Sequence, residues 1–283
     1  MHKTALLLSV VAASAAAHDT WFEPGHDPGG APTLALGTGA HFPAQETALT
    51  RPALVELGCR AGRVSTTPRL ARETPEALHL RPAPGMSRCW AQSVVFDITL
   101  PPDTVSLYLQ ELRAGPAVRE RWADLQRRGL PWRERYTKHA RIELGAPSAE
   151  ALPLGLDLAI DTPGPLRAGT SFAVQVRRDG QPLPGLAVEL RSEHSPLGVW
   201  RLSDAQGRLT MPAPLPGRWL LRAIELRPAA GDAWDSRFVT LAFDIGPAAD
   251  QNGSSSSSNS LSASQTAASA AMASDPPLST ATR

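Results

Sequence analysis

The sequence lacks the short motifs of several large enzyme classes. It contains no Gly-x-Ser-x-Gly nucleophile elbow, no glycine-rich phosphate-binding loop and no His-Glu-x-x-His zinc motif. Each of these motifs holds a nucleophile, a phosphate or a metal ion in a fixed local geometry. Their absence argues against the hydrolases, nucleotide-binding enzymes and metalloproteases that use them, and we expect a protein that is not an enzyme.

The sequence also lacks an excess of charge of either sign, and it lacks long apolar runs. The formal net charge is +1, so the composition gives no electrostatic case for a nucleic-acid partner. After the first 17 residues, no apolar run reaches the ~20 residues that a membrane-spanning helix needs. We therefore expect no nucleic acid as a partner and no membrane span in the mature chain.

Residues 1–17 have the composition of a secretory signal peptide. His2 and Lys3 precede an apolar run that ends in three alanines, the last of them Ala17. A positive start, a short apolar centre and a small-residue end are typical of such a leader. We predict cleavage after Ala17, which makes His18 the first residue of the exported protein.

Cysteine is rare, and both residues, Cys59 and Cys89, follow the predicted leader. In an oxidising compartment such a pair usually forms a disulfide. The alternative is a thiolate metal site, which the lack of Cys-x-x-Cys spacing makes less favoured. We predict a disulfide between Cys59 and Cys89.

The region after the leader is predicted to be mainly β. Short runs of β-forming residues alternate with turns, in a sequence that holds 27 prolines and 22 glycines. We predict two β-sandwich-like domains, a β-rich one over residues 18–150 and an immunoglobulin-like β-sandwich of seven short strands over residues 151–246. Residues 247–283 are rich in serine and alanine, which predicts a disordered tail.

One helical insertion is predicted in the first domain, near residues 116–128. Val118, Trp122 and Leu125 recur there at spacings of four and three residues, the pattern of one face of an amphipathic helix. Residues 105–109 alternate between apolar and polar side chains after two prolines. That alternation predicts a strand.

Cleavage after Ala17 would leave His18 with a free α-amine. This amine and the imidazole Nδ1 can chelate one metal ion together, and imidazole nitrogen suits copper, nickel and zinc. The α-amine has an unperturbed pKa of about 7.7–8.0, so a metal ion can displace its proton near neutral pH. The alternative is that His18 is a by-product of processing and binds nothing.

Several motifs together resemble one bacterial family. They are residues 18–24 (HDTWFEP), 135–141 (RYTKHAR), 179–188 (DGQPLPGLAV), 216–223 (PGRWLLRA) and 234–243 (WDSRFVTLAF). In this order they are similar to the family of domain of unknown function 4198, over about residues 17–243.

The resemblance implies a periplasmic protein whose relatives include NikM-like components of nickel or cobalt uptake. It implies His18 as a metal ligand, and Asp19 keeps the carboxylate of the glutamate that usually follows in the family. A metal transporter of the inner or outer membrane is the partner that such a role implies. His139 departs from the family motif, in which this position is commonly small or apolar, and is added as a candidate ligand.

The candidate metal ligands are His18, Asp19, His26, His41 and His139. His26 lies in a Gly-Pro loop eight residues after His18, close enough in the chain to fold back toward it. A set of His18 with His26 or His41 would give nitrogen and oxygen ligands suited to nickel, cobalt or copper. Considered one at a time, each of His26, His41 and His139 is better explained as an isolated histidine than as a metal ligand.

Two alternative functions stay open at this point. A non-metal binding or assembly module of β-sandwich type would be favoured by exposed Trp200, Trp219 or Trp234, although sandwich tryptophans usually belong to the core. A copper oxygenase-like enzyme would use the terminal His18 with a second histidine on an open face. Our prediction is an exported, non-enzymatic protein that binds nickel, cobalt or copper for uptake or handling.

Overall fold

The computed structural model describes residues 18–249. The predicted leader, residues 1–17, and residues 250–283 of the predicted tail lie outside the described residues. The described part is mainly β, as predicted, with a β-sandwich-like arrangement of sheets and two α-helices.

The helices are α1 (Pro102–Glu111) and α2 (Pro116–Arg127), and a short 3-10 turn covers Arg51–Ala53. The strands are β1 (Asp19–His26), β2 (Pro32–Gly39), β3 (Thr47–Ala48), β4 (Leu54–Ala61), β5 (Val64–Thr66), β6 (Arg69–Glu73), β7 (Ala77–Arg81), β8 (Arg88–Ser93), β9 (Phe96–Leu100), β10 (Trp132–Glu143), β11 (Leu156–Ile160), β12 (Thr170–Arg178), β13 (Gln181–Pro182), β14 (Ala187–Ser192), β15 (Ser195–Leu202), β16 (Arg208–Ala213), β17 (Gly217–Pro228) and β18 (Trp234–Ile245).

The strands form three sheets. A central sheet of nine strands has the order β15-β14-β17-β18-β10-β8-β4-β5, with β9 paired to β10. A five-stranded sheet, which we call the N-terminal sheet, has the order β1-β2-β7-β6 with β3 beside β2. The third sheet has four strands in the order β11-β12-β13, with β16 beside β12.

The central sheet crosses the predicted domain boundary at residue 150. Strands β10 and β18 are parallel neighbours from Glu134 opposite Trp234 to Ile142 opposite Ala242. Residues up to Ala249 accordingly belong to one compact unit. The regions predicted as separate domains therefore share one sheet and its hydrogen bonds.

Alternate residues of β17 reach opposite faces of the central sheet, as in any strand. Leu221 packs into the core under the four-stranded sheet, whereas Leu220 packs into the core under the N-terminal sheet. On the same face as Leu220, Ile224 packs with the residues of helices α1 and α2. The N-terminal sheet and the helix pair thus cover one face side by side, and Arg222 lies between them.

Helix α1 corrects one prediction. Residues 105–109, predicted as a strand, are helical, and Val105, Tyr108 and Leu109 form the buried face at spacings of three and four residues. Pro102 stands in the first turn, where the missing N–H removes no hydrogen bond. The strand prediction was wrong because five residues fit both the strand period of 2 and the helix period of 3.6. The first half of the chain therefore carries two helices, where the sequence predicted one.

Helix α2 confirms the helix predicted near residues 116–128. It buries Trp122 and Leu125, as the spacing required. Gly129 follows with φ 69°, a left-handed conformation that glycine adopts without a steric penalty. Within residues 18–249, neither helix has the length and apolarity needed to cross a bilayer.

The predicted disulfide joins Cys59 of β4 to Cys89 of β8. The two residues are direct register partners in antiparallel strands, and both are fully buried. In the chain-entropy account, such a cross-link stabilises the fold by roughly 3–4 kcal/mol. The disulfide prediction is confirmed.

Candidate functional site

A cavity of about 810 Å³ opens on the central sheet between the N-terminal sheet and helix α1. His18, His41 and Phe42 form its rim on one side, and Leu107 and Tyr108 of α1 form the opposite wall. Side chains of β14 and β17 form the floor. Since ligand sites usually measure ~300–1,000 Å³, this central cavity is the candidate functional site.

His18 stands at the rim just before β1. The antiparallel pairing of β1 with β2 places Ala40 opposite His18, and His41 follows. The Nε2 of His18 lies 3.3 Å from Oε2 of Glu46, and Oε1 of Glu46 accepts a hydrogen bond from the Ala40 amide. A carboxylate beside Nε2 favours a proton on that nitrogen, which leaves the lone pair on Nδ1.

The Nδ1 of His18 is buried and has no hydrogen-bond partner among residues 18–249. Buried polar atoms normally have a partner, so this nitrogen is open to a partner that these residues do not supply. The side chain as a whole is 20% exposed toward the rim. A metal ion, a water molecule or a ligand proton can fill that position.

The floor of the central cavity carries a buried cluster of charges. The Nε of Arg222 lies 3.0 Å from Oδ2 of Asp19, and its Nη1 lies 3.4 Å from Oε2 of Glu189. Arg191 donates a hydrogen bond of 3.0 Å from Nε to the same oxygen of Glu189. Two guanidinium groups and two carboxylates thus balance one another, while Oδ1 of Asp19 is buried without a partner in the described part of the chain.

Gly198 of β15 leaves room for this cluster. A β-carbon at Gly198 would lie 2.1 Å from Oε1 of Glu189. The side chain of Glu189 therefore crosses the space that a larger residue would occupy. Any substitution of Gly198 would displace Glu189 from its two arginine partners.

Lys138 of β10 holds the backbone beside the rim. Its Nζ donates a hydrogen bond of 2.9 Å to the carbonyl oxygen of His18, and its side chain is buried. Burial lowers the pKa of Lys138 to about 8, against the opposing influence of the Asp19 carboxylate. The ammonium group fixes the position of His18 through a charge-assisted hydrogen bond.

Tyr108 forms a rigid part of the opposite wall. Its hydroxyl donates a hydrogen bond of 2.8 Å to Glu134, which also accepts one of 2.7 Å from the indole of Trp132. Burial raises the pKa of Glu134. Burial and the neighbouring Glu134 carboxyl raise the pKa of Tyr108 well above its usual value. The hydroxyl is therefore committed to the interior, and Tyr108 is a fixed member of the cavity lining.

Two of the predicted ligands lie elsewhere. Strand β1 runs without a break from Asp19 to His26, so His26 belongs to a strand and not to the predicted loop. It lies roughly 23 Å from Asp19 along the strand and does not fold back toward His18. His139 is buried in β10, with its Nδ1 2.9 Å from the carbonyl oxygen of Phe238. Burial lowers the pKa of His139 to about 4. It does not line the central cavity.

Among residues 18–249, no group of three or more histidine, cysteine, aspartate or glutamate side chains is arranged to hold a metal ion. A metal site at His18 would therefore need ligands from the processed terminus, from water or from a bound molecule. The unpartnered Nδ1 fits the first of these, because an α-amine and Nδ1 of the same histidine chelate together.

The sequence predictions missed most of the cavity. Glu189, Arg191, Arg222, Arg113 and Trp200 all line it. One signal in the sequence could have pointed to the charged residues of the floor: they lie inside otherwise apolar strands. The alternation of apolar and polar side chains, taken alone, places such charged residues in solvent. The other two tryptophans considered for docking, Trp219 and Trp234, are buried in the core.

The chain matches the family described as domain of unknown function (DUF4198) over residues 15–225. This match covers well over half of the 283 residues and includes the whole cavity lining. Among the curated proteins, none matches. The family resemblance seen in the motifs is thereby confirmed, and this protein belongs to the DUF4198 family.

Proposed function

We propose that this protein is exported to the periplasm and there binds a transition-metal ion, nickel, cobalt or copper, for uptake or handling. In this role it is a NikM-like, non-enzymatic component that passes the ion to a metal transporter of the inner or outer membrane. One observation carries the proposal: the buried Nδ1 of His18 has no partner among residues 18–249, while the carboxylate of Glu46 lies 3.3 Å from Nε2.

Removal of the leader after Ala17 would add a second nitrogen ligand on the same residue. The new α-amine and Nδ1 are both atoms of His18, and together they can form a chelate ring with one ion. Glu46 would keep the imidazole in the tautomer that presents Nδ1, as a carboxylate does behind many metal-bound histidines. The hydrogen bond from the Lys138 ammonium group to the His18 carbonyl oxygen holds the residue at the rim.

Two further predicted ligands suit this arrangement. His41 is exposed on the same rim, although it does not complete a group of three ligand side chains among residues 18–249. Asp19 has one carboxylate oxygen without a partner among residues 18–249. Imidazole and carboxylate together favour nickel, cobalt or copper over magnesium or calcium, which prefer oxygen ligands alone.

The test is a calorimetric titration of the mature protein with Ni²⁺ and with Cu²⁺. The protein beginning at His18 is released from a fusion by a protease that leaves no extra residue. It is compared with a copy that carries one additional alanine before His18, which keeps the imidazole and moves the free amine. We expect the added alanine to weaken binding at least 10-fold, or about 1.4 kcal/mol.

Equal affinities of the two copies would refute a chelate at the terminus. In that case His18 is a by-product of processing, and a non-metal binding module becomes the better description of the protein.

A further inference from the structure

The central cavity is much larger than a metal ion needs. Its volume is about 810 Å³, whereas an ion with its water ligands fills a small fraction of that space. His18 offers two nitrogens after processing, and no group of three ligand side chains is present among residues 18–249. Transition-metal ions take four to six ligands in typical sites. The cavity therefore has room for an organic molecule, and an ion bound at His18 would have open coordination positions for it.

The walls of the cavity suit a small organic molecule. Phe42 on the rim, and Leu107 and Tyr108 on helix α1, give it apolar surface. Leu107 is 60% exposed despite its apolar side chain. Ligand sites combine such apolar surface with a few placed polar groups, and this cavity shows the same combination.

One cation of the wall stands apart from the charge cluster of the floor. Arg191 and Arg222 are already paired with Asp19 and Glu189. Arg113, at the end of α1, has no carboxylate within 4.0 Å among residues 18–249. Its guanidinium instead lies 4.7 Å from the centre of the Trp200 ring.

The contact with Trp200 places the Arg113 guanidinium at the wall of the cavity, which both residues line. A guanidinium held in this way keeps its donors free and presents them as a fork. That fork matches a carboxylate, with which arginine forms two parallel hydrogen bonds. The wall opposite the floor cluster thus carries a carboxylate-binding group that no side chain of residues 18–249 uses.

We propose that the central cavity takes the metal ion as a complex with a small polycarboxylate, which shares the ion with His18 and places a free carboxylate on Arg113. The inference rests on the proposed function and adds the chemical class of the metal's companion ligand. The polycarboxylate fills the coordination positions that the protein leaves open, and the apolar wall covers its carbon chain.

The experiment uses the mature protein beginning at His18 and compares two probes, Ni²⁺ alone and preformed nickel citrate. The main variant is Arg113→Met, which keeps an unbranched side chain at a position where φ is 50° and removes the charge. The matched control is Arg201→Met, on the exposed surface of β15 next to Trp200. Metal-free citrate serves as a third probe.

We expect nickel citrate to bind the wild type and the Arg201→Met control with the same affinity. Arg113→Met should weaken nickel citrate about 10-fold, the loss of one charge-assisted pair, and leave the affinity for Ni²⁺ alone unchanged. Metal-free citrate should bind weakly, because His18 then contributes nothing.

Three outcomes would overturn the inference. The first is that citrate removes Ni²⁺ from the protein. The second is that Arg113→Met binds nickel citrate as tightly as the control does. The third is that nickel citrate binds the alanine-extended copy as tightly as the protein beginning at His18. The first two leave the proposed metal function intact if Ni²⁺ alone still distinguishes the alanine-extended copy. Loss of that distinction for Ni²⁺ alone removes the proposed function itself.

Discussion

His18 and His139 show how two regions of one fold treat the same side chain. His18 lies at the rim of the central cavity, with a carboxylate at Nε2 and with no partner for Nδ1 in the part of the chain that the structure describes. His139 lies inside the central sheet, where the Phe238 carbonyl oxygen occupies Nδ1 and burial lowers its pKa to about 4. A backbone partner makes the second histidine a structural residue, whereas the missing partner leaves the first available to a ligand.

The same contrast holds for the charges around the two histidines. Arg141, two residues after His139, is fully buried and bound by Glu143 and Asp157. At the rim, the Glu46 side chain is half exposed and contacts Nε2 of His18 and the amide of Ala40. We therefore expect substitutions in the sheet interior to change the free energy of unfolding, and substitutions at the rim to change ligand affinity.

The largest effect is expected from Arg141→Met. Removing the guanidinium leaves the carboxylates of Glu143 and Asp157 buried without their partner, which destabilises a fold by about 3–5 kcal/mol. Urea unfolding measures the change, with the exposed Arg201→Met as control. The affinity of the folded variant for Ni²⁺ should stay at the wild-type value. A loss below about 1 kcal/mol would show that the interior cluster behaves like a surface ion pair.

The next effect concerns metal affinity and separates the two histidines directly. In the mature protein, His18→Ala should weaken Ni²⁺ binding about 100-fold, or about 2.8 kcal/mol, because the imidazole half of the chelate is lost. His139→Asn should leave the affinity unchanged, since its ring already serves the backbone. Calorimetric titration of both variants gives the comparison. A weaker affinity in His139→Asn with an intact His18 would place the metal in the sheet interior instead.

The third effect is a pH dependence of stability that belongs to His139. Its folded pKa of about 4 lies below the usual histidine pKa of 6.5, so the unfolded chain binds more protons between these values. The stability due to neutral His139 is therefore complete above about pH 6.5 and is lost as the pH falls toward 4. His139→Asn keeps a donor for Phe238 and removes this titration.

Urea unfolding of wild type and His139→Asn at pH 7 and pH 4 measures this contribution. The stability advantage of the wild type should shrink by about 2 kcal/mol over that range. A constant difference between the two proteins would mean that the imidazole is protonated as easily inside the sheet as in water.

The smallest effect tests the carboxylate behind His18. Glu46→Ala should weaken Ni²⁺ binding of the mature protein about 10-fold, at the lower end of the range for groups that orient metal-bound histidines. Glu56→Ala, which removes an exposed carboxylate on β4, is the matched control. If both variants bind like the wild type, Glu46 does not select the tautomer.

Local patterns predicted the elements that are long or carry a strong local signal. The spacing of Trp122 and Leu125 predicted α2, and short strands fill residues 151–246 as the turn-rich pattern predicted. The same reasoning failed at α1, because residues 105–109 are too few to separate a period of 2 from a period of 3.6. It also failed at His26, because the extended course of β1 depends on its pairing with β2.

The sequence by itself determined the mainly β composition, the disulfide, helix α2 and the family, since each depends on residue types at short spacing or on the order of motifs. Only the tertiary structure decided that β10 and β18 share a sheet, and that His18, Arg113 and Arg222 meet at one cavity. These residues are far apart in the chain, and they come together because the N-terminal sheet and the helix pair cover the same face of the central sheet and leave a gap between them. Pairing between distant strands depends on the whole set of buried faces, which no local pattern contains.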